Sequence, residues 1–448
     1  MRPSGDSIDL IDPGPPLWEQ AAAIFVVIIL TQAFIGPVFA PTQEETPILR
    51  LIWLPVYAVI AGLIAMRPTV LVRAWPAWLI LAVLVLQAFA SKWWSIDPGV
   101  TQRRVIAMAI SSAFSIYLGV AFGGRHLPRM LMISALIMGL GSLVFVFAFP
   151  SIGVHQLENA GLWRGLWYEK NQMGLVMSAG AVAAAACLAS GDKRRLLPAI
   201  TLGICALLVL ATQSKTSLLC LMLGVGAVGG LWAMRRGGAA FSIVAIWFGV
   251  VLTAGAAYVF ITDPAMVLKA LGKDPSLTGR TDIWEALMRE VSERRWTGFG
   301  YQAFWGKDSV PAAFIRAETQ WPVPSAHNGW IDLLIQLGWP GAISVGITVA
   351  IATVVTIFRI PGSGAREGYF AVGYLLVFLL LSLSESVLLS HANLPWTLLL
   401  AILARALAFE LDPVRAPLAP SRRGAYQTAP RIAAHSAHAR VHRPVPVR

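Results

Sequence analysis

Ser325-Ala326-His327-Asn328-Gly329-Trp330-Ile331-Asp332-Leu333-Leu334-Ile335-Gln336-Leu337-Gly338-Trp339-Pro340-Gly341 is where a long polar segment, residues 262–326, gives way to an apolar run. A histidine, an asparagine and an aspartate stand at that boundary. Polar groups at membrane depth cost free energy and are usually kept for a purpose. The run 328–358 is too long for one straight span. Gly338, Pro340 and Gly341 predict a break, giving a short amphipathic helix near the surface and then a true span.

The same alternation extends through the chain. Of 448 residues, 57% are hydrophobic and only 13% are charged, about half the charged fraction of a soluble domain. Runs long enough to cross a bilayer fall at about 18–39, 48–66, 74–90, 104–122, 128–149, 171–190, 196–212, 216–233, 240–261, 328–358, 369–388 and 394–411. The expectation is an all-α polytopic membrane protein of about 12 transmembrane helices with a large outer (periplasmic) helical loop. Its parts are an N-terminal tail 1–17, spans 18–261, the loop 262–326, spans 327–411 and a basic, disordered tail 412–448.

Net charge is +12. In a soluble protein this would suggest nucleic acid, but here the excess lies in alternate short connections and the tail, so no nucleic-acid partner is expected. Arg67 and Arg73, Arg125 and Arg129, Lys193 to Arg195, Arg235 and Arg236, and Arg359 and Arg366 mark the cytoplasmic side, with both termini inside. The tail adds affinity for anionic membrane lipids. Connections 40–47, 91–103, 150–170, 213–215, 262–326 and 384–393 then face outward. The three cysteines, Cys187, Cys205 and Cys220, lie in apolar runs without metal-ligand spacing. No metal site, cofactor or nucleotide loop is expected.

The unusual residues are on the outer side. In Leu277-Thr278-Gly279-Arg280-Thr281-Asp282-Ile283-Trp284, Thr278 or Thr281 is a plausible cap. Ile283, Trp284, Leu287, Met288 and Val291 then form the apolar face of an amphipathic helix. Arg280 at its first turn opposes the helix dipole, so it is either a solvated arginine or a partner for an anion. Arg164 and Lys170 precede one span, Lys215 separates two spans, and Glu385 ends another, where pairing with a basic residue would account for it. Asn328 is a helix cap or a substrate contact. Asp332 is a candidate to hold His327, although five residues on is off the same face. Cations around one histidine suit a lipid-borne diphosphate and proton transfer near neutral pH.

Five pieces carry a resemblance: Trp94-Ser95-Ile96-Asp97-Pro98, Glu169-Lys170-Asn171-Gln172-Met173-Gly174, Ser214-Lys215-Thr216-Ser217, Gly279-Arg280-Thr281-Asp282-Ile283-Trp284 and Ser325-Ala326-His327-Asn328-Gly329. In this order, the chain resembles the bacterial O-antigen ligase and O-antigen polymerase superfamily, with a lean towards exopolysaccharide polymerases. The resemblance implies a metal-independent, inverting glycosyltransferase of the bacterial inner membrane with its active site facing the periplasm. The donor would be an undecaprenyl-diphosphate-linked glycan. The acceptor would be another lipid-linked repeat or a lipid A core, and other polysaccharide-assembly proteins would be partners. Lys215 and Arg280 would hold the diphosphate, with Arg164, Lys170 and Asn328 as further substrate contacts, and His327 would activate the acceptor hydroxyl. The rival of another class is a transporter of the same lipid-linked sugar, for which internal repeats of spans would be expected.

Overall fold

The computed structural model describes residues 14–35, 47–157, 159–191, 195–262 and 280–409. Thr278, Lys193, Arg194 and the tail 412–448 lie outside the described residues. In chain order the helices are α1 Leu17–Leu30, α2 Pro47–Ala65, α3 Thr69–Arg73, α4 Trp75–Ala90, α5 Pro98–Ala121, α6 His126–Ala148 and α7 Pro150–Gly153. Then follow α8 Lys170–Ala189, α9 Leu196–Thr212, α10 Lys215–Thr262, α11 Arg280–Glu293, α12 Val310–Thr319, α13 Gly329–Arg359, α14 Ala365–Ser384 and α15 Leu394–Leu407. Among the described residues there is no strand beyond one isolated bridge, Val154 to Trp163.

Among the described residues, seven helical segments are long and apolar enough to cross a membrane, and four shorter apolar helices accompany them. Two expected spans, 216–233 and 240–261, form one helical run interrupted at Gly238. The helix expected over 369–388 occupies Ala365–Ser384, so Glu385 begins an irregular connection.

The bundle is organised around α8, which packs against α6, α9, α10 and α14. Its sequence from Ser178 to Ala186 is almost entirely alanine and glycine, and that stretch is buried. Small side chains let neighbouring helices approach closely where lipid offers little hydrophobic drive. Large residues such as Leu79, Leu86, Leu207, Leu210 and Met222 are exposed on the outward faces of α4, α9 and α10. That suits lipid contact. The carboxylate of Glu19, buried at the start of α1, is matched by Arg67 at 2.5 and 2.7 Å and by the Tyr117 hydroxyl, as a charge at this depth requires.

The expected break in α13 falls at Gly338, whose φ of 65° and ψ of −166° leave the helical region. In an unbroken helix the Ile335 carbonyl would receive the Trp339 N–H, and the Gln336 carbonyl would receive that of residue 340, which is proline. The loop after α11 makes these bonds instead. Phe299 N–H donates to Ile335 O at 2.9 Å, Gly300 N–H to Gln336 O at 3.0 Å, and Trp339 N–H to Arg295 O at 2.8 Å. An unsatisfied backbone group in an apolar setting costs several kcal/mol, so the break depends on this loop. The outer half-helix also differs from expectation. Leu333 to Leu337, Gln336 included, are all buried.

Candidate functional site

Arg280 opens α11, and Trp284 lies one turn further on. Residues four apart share a helix face, and here the shared face points at the histidine segment. Trp284 Nε1 donates to the Ala326 carbonyl at 2.8 Å. Ile283, Ala286, Leu287 and Val291 are buried, while Asp282, Glu285, Arg289 and Glu293 are exposed. This is the expected amphipathic pattern, except that Met288 is exposed. Arg289 pairs outward with Glu318 at 2.5 Å.

Held in this way, Arg280 donates to the Ser384 carbonyl at 3.0 Å and stands 3.9 Å from Glu385 Oε1. The other oxygen of Glu385 is 3.5 Å from His327 Nδ1. One carboxylate therefore stands between an arginine and the histidine, all three largely shielded, with side-chain exposures of 20%, 14% and 19%. His327 has a left-handed backbone, φ 47°, which a non-glycine residue adopts at a cost. Its ring stacks on Trp321 at 5.7 Å and 7°. Neither ring nitrogen makes a hydrogen bond among the described residues. A buried polar atom in that state calls for an explanation.

Asn328 caps α13, its Oδ1 accepting from Trp330 N–H at 3.0 Å and Ile331 N–H at 3.2 Å. Replacing it with alanine is expected to cost about 1 kcal/mol of stability, and aspartate should retain the cap. Thermal unfolding of both variants checks this. Asp332 accepts from Trp305 Nε1 at 2.6 Å. The carboxylate in ion-pair range of His327 Nδ1 is Glu385.

Lys215 is the exposed first residue of α10. The turn before it has Gln213 in a left-handed conformation, Ser214 N–H bonded to Thr212 Oγ1 at 3.0 Å, and Ser217 Oγ bonded to Ser214 Oγ at 3.0 Å. The segment starting at Glu169 packs onto this turn. A Cβ on Gly174 would stand 2.2 Å from Ser217 Oγ, and Ser178 Oγ donates to Ser217 O at 2.9 Å. Further along α10, Cys220 is close enough to Glu385 to feel its charge. Lys215 thus stands at the end of a helix that passes the carboxylate.

Arg164 and Lys170 stand beside His155. Arg164 donates to the carbonyls of Ile152 at 2.7 Å and Ser151 at 3.4 Å. Lys170 N–H donates to His155 Nε2 at 3.2 Å, and that nitrogen lies 4.0 Å from Glu169. Burial, then Arg164 and Lys170, lower the His155 pKa below its ordinary 6.5. The neutral ring is the acceptor that Lys170 needs. As pH falls below the ordinary value, the unfolded loop takes up a proton that the folded loop resists, so loop stability is complete above it and declines below. Hydrogen exchange over residues 154–169, corrected for intrinsic rates, should rise between about pH 7.5 and 5.5 in the wild type and much less in His155→Gln. Equal rises would contradict this.

In the sequence, Glu385 is a carboxylate closing an otherwise apolar run, for which pairing with a base is the expected explanation. The pairing is present, and it includes the histidine.

Residues 200–346 match the family described as O-antigen ligase. This segment contains Lys215, Arg280, His327 and Asn328, and it excludes Arg164, Lys170 and Glu385. The chain is also 28% identical over 276 residues to the exopolysaccharide production protein ExoQ of Rhizobium meliloti (strain 1021). That alignment covers 58% of this chain and 60% of the relative, so less than two thirds of the relative's length is matched. The resemblance read from the motifs is borne out by both comparisons. Together they support a membrane ligase- or polymerase-like role.

Proposed function

We propose that this protein polymerises a surface polysaccharide by transferring a glycan from undecaprenyl diphosphate to a hydroxyl of another lipid-linked repeat. The chemistry would occur on the periplasmic side of the inner membrane, with inversion at the anomeric carbon and without a metal. The observation that carries the reading is the contact of Glu385 with both His327 and Arg280. The topology in this account has twelve spans and both termini in the cytoplasm. It rests on Arg67, Arg73, Arg125, Arg129, Arg235, Arg236, Arg359 and Arg366 falling in or beside connections at one end of the bundle.

In this reading the bond from the anomeric carbon to the diphosphate oxygen breaks as the acceptor oxygen attacks. The leaving diphosphate keeps the electron pair. Arg280 and Lys215 stabilise that growing charge, an effect worth several kcal/mol in a site shielded from water. The acceptor proton goes to His327 Nε2, the ring nitrogen turned away from Glu385 by the Nδ1 contact. Glu385 holds the ring and stabilises the imidazolium. Arg164 and Lys170 bind the glycan or its diphosphate on the approach to the site.

The test is purified protein in liposomes with lipid-linked repeats and no energy source. Longer lipid-linked glycans support the proposal, whereas transbilayer movement without elongation supports a transporter. The ligase reading, with transfer to lipid A core, is separated by lipid profiling of a deletion strain. Single repeats on the carrier lipid point to a polymerase, and long unattached chains to a ligase.

A further inference from the structure

The loop that repairs the break in α13 makes one more set of contacts. On its far side it is fixed to the hairpin of α4 and α5. Ile96 N–H donates to Phe299 O at 3.0 Å, and Trp94 Nε1 to Thr297 O at 2.8 Å. Thr101 Oγ1 donates to Tyr301 O at 3.0 Å, and Tyr301 N–H to Ser91 Oγ at 3.0 Å. On its near side it holds α13 across the break, through Ile335 and Gln336 in the outer half and Trp339 just past Gly338. Gln336 also accepts Gln302 N–H on its side-chain oxygen at 2.9 Å. Finally the fully buried Tyr301 donates its hydroxyl to Leu389 O at 2.6 Å, in the connection that begins at Glu385.

The half-helix between Gly329 and Leu337 is too short to hold itself, since isolated helices under about 12 residues are marginal. Its position is set at its two ends. At the outer end, Gly329 packs so closely that an added Cβ would lie 3.0 Å from Ser382 O and 3.2 Å from Glu385 O. At the inner end, the loop 295–302 replaces the bonds that Gly338 and Pro340 remove. Gly300, at φ 101°, has no room for a side chain, as a Cβ would meet Ser95 Oγ at 2.2 Å. Tyr301 and Gln336 thus grip both sides of the His327–Glu385 pair. Among the described residues, neither forms a hydrogen bond with His327, Glu385 or Arg280.

We infer that Tyr301 and Gln336 are positioning residues, the two grips of a clamp at the α13 break that sets His327 against Glu385. The catalytic arm of the test rests on the transferase reading given above, and the structural arms do not. Gly300→Ala is the obvious variant, but it is liable to prevent folding. Tyr301→Phe and Gln336→Met each remove one hydrogen-bonding group at nearly constant volume. In the double variant we expect faster hydrogen exchange at residues 299–300 and 335–339, and a changed rate of His327 carbethoxylation by diethylpyrocarbonate. We also expect a fall in kcat of about 10- to 100-fold with the KM for the lipid-linked donor unchanged, the size associated with displacement of a reacting group by an ångström or less. Unchanged exchange, or faster exchange with kcat and His327 reactivity both as in the wild type, would overturn the inference. Absence of transfer by the wild type would instead remove the transferase reading, and exchange with carbethoxylation would still decide the clamp.

Discussion

His327→Ala abolishes glycan transfer while the amount of folded protein in the membrane stays the same. The imidazole makes no hydrogen bond that the fold needs, as both its nitrogens lack one among the described residues. What folding loses is the stack on Trp321, about 0.5–1.5 kcal/mol. The backbone at φ 47° is tolerated by asparagine better than by most residues, so His327→Asn is the control for stability. Loss of a general base typically costs a factor of about 10²–10⁴. Radiolabelled lipid-linked repeat, followed by gel analysis of products, measures it. Wild-type product lengths from both variants would remove the role assigned to His327.

Glu385→Gln produces the second large effect, although the side chain keeps its size, because the charge is lost and one acceptor oxygen becomes an amide donor. The carboxylate lies 3.5 Å from His327 and 3.9 Å from Arg280. At such a separation and an effective dielectric near 20, two unit charges interact by about 4 kcal/mol. Water screens part of this, so we expect a loss on the order of 100-fold in kcat, or about 2.7 kcal/mol. The sign follows from the chemistry. The imidazolium formed as the proton arrives loses its stabilising anion, and Arg280 becomes a bare like charge nearby. Glu385→Asp keeps the charge on a shorter arm and should recover part of the rate. A Glu385→Gln enzyme with wild-type kcat would mean that the pair is a structural tether only.

The features legible in the sequence were those set by local chemistry. Hydrophobic run length placed the helices, the paired turn residues Gly338 and Pro340 marked the break in α13, and the spacing of Ile283, Leu287 and Val291 gave the buried face of α11. Arg280 and His327 stood out because charge and imidazole at membrane depth need a reason. What could not be read was which polar groups meet. Asp332, close to His327 in sequence, accepts from Trp305 while standing near enough to His327 to interact with its charge. Glu385, far along the chain, reaches the ring because α14 ends where α11 and α13 begin. Arg164 and Lys170, expected among the outer cations, both stand beside His155, a neighbour that their spacing in the chain does not announce. The repair of the α13 break by Phe299 and Gly300 also lies outside sequence periodicity, since backbone donors carry no side-chain signature.

The most direct test of the central claim is a cryo-EM structure of the His327→Asn protein in nanodiscs with a lipid-linked diphospho-glycan bound. The account predicts the diphosphate against Arg280 and Lys215, with the anomeric carbon facing the position of residue 327. A diphosphate seated away from both Arg280 and Lys215, with its anomeric carbon pointing away from residue 327, would contradict it.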